Sequence, residues 1–198
     1  MTTRRIAHLI SIAFVAAAAA GCGSTAPSRF YTLVSTATPG VAPAAHDSVM
    51  VGPVSIPEAV DRPQFVVQVA PNRVDIEEFN RWAAPLNDGI ARAVAGDLAA
   101  LLGTPDVAIA PLANFSPDYR VTIDVQRFEA TVGQGVLVEA VWAVHKTASG
   151  ETRSGRTAAQ ESAQGQGFDA LAAAYSRALT KVSRDIAATI QAEAAEKP

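Results

Sequence analysis

Apolar positions along this chain recur with two different periods, and the switch between them marks the elements. From Tyr119 to Phe128 the period is two: Val121, Ile123 and Val125 alternate with Thr122, Asp124 and Gln126. That alternation predicts a half-buried strand. Val132-Gly133-Gln134-Gly135 then turns the chain into a second alternating run, Val136 to His145, in which Val138, Ala140, Trp142 and Val144 share a face. Ala148 to Glu151 turns it again into Thr152 to Ser162, a polar run that suits a sheet edge kept soluble by charge. Upstream, Arg29–Val34, Val49–Ile56, Phe65–Val69, Arg73–Ile76 and Val107–Ala110 are shorter strand candidates. Pro57 closes the second of these, Pro71-Asn72 makes a turn, and Ser35 to Ser48 reads as a loop.

Two segments carry the helical period instead. Leu86, Ile90, Val94, Leu98 and Leu101 line one face of a helix predicted from Pro85 to Leu102, with Gly103 just past its end. Leu171, Tyr175, Ala178, Val182, Ile186 and Ile190 make a stripe on a long helix from Phe168 to Glu193. Hairpin-linked strands interrupted by two helices predict an α+β fold: a single domain, mainly antiparallel sheet, packed against two helices.

The N-terminus follows another logic. Arg4-Arg5 precede an apolar run from Ile6 to Ala20, which ends in Gly21-Cys22. A charged start, an apolar core of this length and small residues at its end make a secretory signal rather than a membrane span. Ala19-Ala20-Gly21-Cys22 is similar to a bacterial lipobox, with Ala19 where leucine is usual. In a lipobox the cysteine thiol takes a diacylglyceryl group and becomes the first residue after cleavage, so Cys22 is expected to be acylated, palmitate included, with cleavage after Gly21. The expected organisation is a signal at 1–21, a lipidated tether at 22–28 and a periplasmic domain at 29–198. Gly23, rather than an aspartate, follows the cysteine, which points to the periplasmic face of the outer membrane.

Composition narrows the chemistry. Cys22 is the sole cysteine, so the domain must be held by its core rather than by an internal disulfide. Loss of Arg4 and Arg5 from the 16 basic residues, against 19 acidic ones, leaves a formal charge of −5. No basic stripe offers itself to nucleic acid. His46 and His145 stand isolated, which argues against a transition-metal site. Neither a Gly-x-Ser-x-Gly elbow nor a phosphate-binding Gly-rich loop is present. We therefore expect no catalytic residues, no metal and no cofactor.

A polar and aromatic stretch stands out. Asp61-Arg62-Pro63-Gln64 precedes one strand, and Phe79, Asn80, Arg81 and Trp82 follow the next. Phe79 and Trp82 can cap the core. The alternative is a partner-binding rim formed by Arg81, Trp82, Arg62 and Gln64, since Trp and Arg are common interface anchors.

The same residues carry a resemblance. Phe30-Tyr31-Thr32-Leu33, Val51-Gly52-Pro53-Val54 leading to Ile56-Pro57, Arg62-Pro63-Gln64 and Arg81-Trp82-Ala83-x-Pro85-Leu86 resemble the PqiC/YmbA family of ABC-type transport auxiliary lipoproteins. That resemblance implies a non-enzymatic subunit supporting envelope integrity. It implies work alongside separate chains: a protein with mammalian-cell-entry (MCE) domains, a permease and an ATPase, in lipid transport between membranes. A homo-oligomer would suit a docking subunit. Two other roles fit a tethered domain, a lipid- or solute-binding lipoprotein and a structural envelope lipoprotein.

Overall fold

The computed structural model describes residues 26–39 and 47–195. The signal, Gly21, Cys22 and His46 lie outside the described residues. Ten strands and helices follow in order: β1 (Arg29–Tyr31), β2 (Val49–Ser55), β3 (Gln64–Ala70), β4 (Arg73–Trp82), α1 (Leu86–Leu102), β5 (Val107–Ile109), β6 (Tyr119–Thr131), β7 (Gly135–Lys146), β8 (Thr152–Ser162) and α2 (Gly167–Ala195). A short 3-10 turn, Glu58–Val60, separates β2 from β3.

The strands form two sheets, of order β5-β2-β6-β7-β8 and β1-β4-β3. The architecture is α+β. Antiparallel pairing dominates through β6–β7–β8 and the β3–β4 hairpin, but β2 runs parallel to both β5 and β6, and β1 parallel to β4. Those parallel ladders join segments far apart in sequence, which hairpin reading does not foresee.

Both helices cover one face of the larger sheet, α1 over β2 and β5, α2 over β7 and β8. The alternation in β6 and β7 sets that face: Val121, Ile123, Val125, Val138, Ala140 and Val144 are buried, while Thr122, Asp124 and Gln126 are exposed. One face dry and one wet is the ordinary state of an antiparallel layer. All six residues of the α2 stripe are buried. In α1, Pro85 caps the start, and Gly103 ends the helix at φ 67°, a left-handed conformation that glycine adopts without strain.

The smaller sheet is joined to this sandwich by aromatic rings. Phe65 lies between Tyr31, Trp82 and Phe168, while Trp82 meets Phe128 and Tyr175 edge-on at 6.1 and 6.0 Å. Phe128 and Tyr175 stack at 3.8 Å with their planes 2° apart. Burial pushes the Tyr175 hydroxyl well above its usual 10.0, so this ring stays neutral in the fold.

Three boundaries differ from expectation by three residues or more, the simplest being β6, which runs past Phe128 to Thr131. β1 stops at Tyr31, because the next residues leave the sheet and lie across the helices. Val34 N donates to Ser176 Oγ (3.2 Å), and Thr36 and Ala37 N each donate to Asp97 Oδ1 (3.0 Å). Asp97 is fully buried in α1 and also accepts from Ser35 Oγ (2.7 Å) and Ser183 Oγ (3.0 Å). β4 runs on to Trp82 rather than ending at Ile76. Its register with β3 jumps between Phe65↔Glu77 and Gln64↔Arg81, so residues 78–80 bulge. A polar run containing a bulge hides its strand period.

Candidate functional site

The small sheet places the four partner-binding candidates on two opposite faces. In parallel register Phe30 pairs with Arg81 and Tyr31 with Trp82; across β4, Arg81 pairs with Gln64. Paired residues point the same way and successive ones point opposite ways. Tyr31 and Trp82 therefore face the core with Phe65, while Phe30, Arg81 and Gln64 form a row on the other side.

Trp82 is 6% exposed and stacks on Phe65 at 4.1 Å. It is a core residue. Phe79, by contrast, is 40% exposed. A spacing of three puts two residues on one side of a helix but on opposite sides of a strand, so these two rings part company. Phe79 lies in the bulge, without a register partner in β1 or β3.

The outer row is partly exposed and carries a single cation. Phe30 is 64% exposed, and the side chain of Arg81 is 35% exposed, with Glu78 Oε2 3.9 Å from its Nη2. Arg62 lies on the approach to β3, half-buried, its N–H donating to Val60 O at 2.8 Å. The Nε atoms of both Arg62 and Arg81 are buried without a hydrogen-bond partner among the described residues. Their stems are packed, and the Arg81 guanidinium reaches Glu78 at the surface. Below the row, Tyr31 Oη donates to Asn80 Oδ1 (3.0 Å) and Asn80 Nδ2 to Glu77 Oε2 (3.2 Å), which fixes the bulge. Burial, helped by Asp169, raises the Tyr31 hydroxyl above its usual value and keeps it a donor. Trp82 N donates to Pro63 O at 2.6 Å, closing the corner beside Arg62.

The sequence pattern did not single out Phe30 as a site residue, though a signal was present. Phe30 and Tyr31 are adjacent in a strand, and only one of them can be buried.

The polar strand Thr152–Ser162 is indeed a sheet edge. Part of that edge is occupied by its own helix: Lys181 Nζ donates to Gln160 O (3.1 Å) and Arg177 Nη2 to Ser162 O (2.7 Å). Elsewhere, His145 Nδ1 lies 3.0 Å from Thr152 Oγ1, and Ser149 Oγ hydrogen-bonds Glu151 within its own turn. Among the described residues no three of His, Cys, Asp and Glu converge as a metal site, and no helix is long and apolar enough to cross a membrane.

Fold and site together define an α+β domain whose exposed chemistry is an arginine–aromatic sheet face. A family model described as the ABC-type transport auxiliary lipoprotein component matches residues 31–187, and the chain belongs to that family. It is a transport auxiliary component of the cell envelope, which is not an enzyme class. No curated protein matches the chain. Among solved structures, an uncharacterized protein superposes with a TM-score of 0.68 at 19% identity, over 83% of this chain and 99% of the other. Protein XCC0632 from Xanthomonas campestris, assigned to family-model DUF330, superposes at 0.66 with 22% identity, over 81% and 93%. At these identities the likeness is one of fold. The PelC dodecamer from Paraburkholderia phytofirmans is a looser match, with a TM-score of 0.43 at 19% identity over 74% and 92%.

Proposed function

We propose that this lipoprotein is the docking subunit of an MCE-type intermembrane lipid transport system. It does no chemistry itself; permease, ATPase and MCE subunits are separate chains. Acylated Cys22, made the first residue by cleavage after Gly21, attaches it to the periplasmic leaflet of the outer membrane. Several acyl chains make such attachment stable where a single one binds marginally. Arg62, Gln64 and Arg81, joined by Phe30 and Phe79, meet the partner.

The observation that supports this reading is the row Phe30–Arg81–Gln64. Exposed Phe30 and, beside it, Arg81, with exposed Phe79 in the adjoining bulge, are of residue types enriched at interface cores. They are set on a sheet whose opposite side is locked into the aromatic core, so the face is preorganised.

The test is co-purification of the full chain with the MCE protein from cells, comparing wild type with Arg81→Glu and Phe30→Ser. Both variants should remain folded, by thermal denaturation, and lose the MCE protein. Retained co-purification in both would exclude this face. Membrane fractionation of Cys22→Ser tests the anchor: the chain should leave the outer-membrane fraction, and persistence there after signal cleavage would mean another attachment.

A further inference from the structure

A groove of about 290 Å³ lies between the β3–β4 hairpin and β6. Its walls are aliphatic and aromatic, with Pro57, Val60, Val66, Val74, Phe128 and Ala130 the main apolar contributors. Cross-strand pairing extends the strip outward: Val66 pairs with Ile76 and Gln68 with Val74. Val74 is 53% exposed and Ile76 45%, so the hairpin shows water a contiguous apolar surface.

The polar groups on the lining are mostly spent. Gln68 Nε2 donates to Ala70 O (3.3 Å) and Pro71 O (3.1 Å). The Arg127 guanidinium is held in a two-pronged bond to Glu129, at 2.8 and 2.7 Å. Arg73 is the remaining cation, without an ion-pair partner among the described residues. β3 is a sheet edge, and β6 runs on past its last pairing with β2 at Asp124, so an extended peptide could pair there and is the rival occupant that the test must exclude. The aliphatic and aromatic strip itself offers polar groups nothing and suits a hydrocarbon chain. The one unspent charge then fits an anion at the end of that chain.

We propose that this groove takes an acyl chain of a phospholipid, with Arg73 on the lipid phosphate. The volume lies at the small end of ligand cavities and suits one chain rather than a whole lipid. The strip continues along the side of β3 that carries Gln64 of the docking row, but Phe30 and Arg81 do not line the groove, so the two proposals are tested by different residues.

The experiment uses the full chain in growing cells, with the photocrosslinker p-benzoylphenylalanine at position 59, an exposed position on the groove lining. Cells are fed radiolabelled phosphate, irradiated, and the purified chain is scored for label. Phosphorus reports phospholipid and ignores acyl groups attached to the protein itself. Label should appear at 59 and be absent with the crosslinker at 141, an exposed position on the larger sheet. Val74→Asp places a charge in the apolar strip and should lower the label roughly tenfold. Arg73→Gln should also lower it, and Arg81→Glu should leave it unchanged. Undiminished protease resistance of the variants shows that they fold. No label at 59, equal label at 141, label unaffected by Val74→Asp and Arg73→Gln, or a crosslink at 59 only to protein would overturn the proposal.

Discussion

Trp82 and Arg81 are neighbours in β4 with opposite environments: the indole stacks on Phe65 at 4.1 Å, while the guanidinium lies on the outer face beside Phe30. Replacing each by alanine should separate structure from docking. Trp82→Ala removes a buried aromatic and should cost about 3–5 kcal/mol. Arg81→Ala loses the packing of a half-buried stem and should cost about 1 kcal/mol, well below Trp82→Ala, yet reduce co-purification with the MCE protein. Urea denaturation and pull-down on the same preparations check both, and equal destabilisation by the two substitutions would refute the assignment.

Asp97 makes a second prediction with an internal control. Asp97→Ala strands the N–H groups of Thr36 and Ala37 and the Ser35 hydroxyl, and should cost about 3 kcal/mol. Asp97→Asn should cost much less. Its oxygen can keep the Oδ1 bonds, and its amide can donate to Ser183 Oγ while that hydroxyl donates to Leu179 O, 3.0 Å away. The thermal midpoints should therefore rank wild type, then Asn, then Ala. An Asn variant as unstable as Ala would show that the charge itself is required.

Gly155 lies directly against the Trp142 indole, and a Cβ added there would overlap the ring. That ring is also anchored, with Nε1 donating to Thr157 Oγ1 (3.0 Å), whose own hydroxyl donates to Asp185 Oδ2 (2.5 Å). Trp142 cannot move without breaking a link from β7 through β8 to α2. Gly155→Ala should cost about 1–3 kcal/mol, read as a shift in the urea midpoint. A neutral result would mean that β8 yields instead.

Glu161 supplies a pH dependence. It accepts from Lys181 Nζ (2.7 Å) and Arg177 Nε (3.0 Å). The Lys181 hydrogen bond, with Arg177 adding to it against the opposing effect of burial, holds its carboxyl below the usual 4.5. A folded value below the unfolded one contributes stability above the unfolded value, and that stability is lost as pH falls through the folded value. Glu161→Gln should therefore cost on the order of 1 kcal/mol at neutral pH. The gap from wild type should close in acid, below about the usual 4.5. A gap that persists in acid would assign the effect to packing.

Local periodicity made much of this fold legible. The bounds of β8 are those read from the polar run Thr152–Ser162, and both helices end within two residues of expectation. What escaped was long-range. The parallel pairing of β2 with β6 joins residues about seventy apart, and the division into two sheets follows from it. Arg81 and Gln64 were legible as site candidates by residue type, but their row with Phe30 required a register that a bulge at residues 78–80 conceals. Asp97 left a fainter trace, as a carboxylate in the middle of an alanine-rich helix, away from the first turn where Asp88 sits.

The chain that crosses from β1 to the helices has a mechanical meaning. A pull on residues before Arg29 loads β1 first, which is three residues long and pairs only with β4. Beyond it, residues 33–37 are fastened to α1 and α2 through Asp97 and Ser176, and through Thr36 Oγ1, 2.6 Å from Thr180 Oγ1. Gly96 lets this strap lie close, since a Cβ there would meet Ser35 Cβ at 2.9 Å. Tension at the N-terminus would strip a short strand and then meet a buried knot, leaving the helix-covered sheet under no load. The strap is a strain relief, like the clamp where a cable enters its housing.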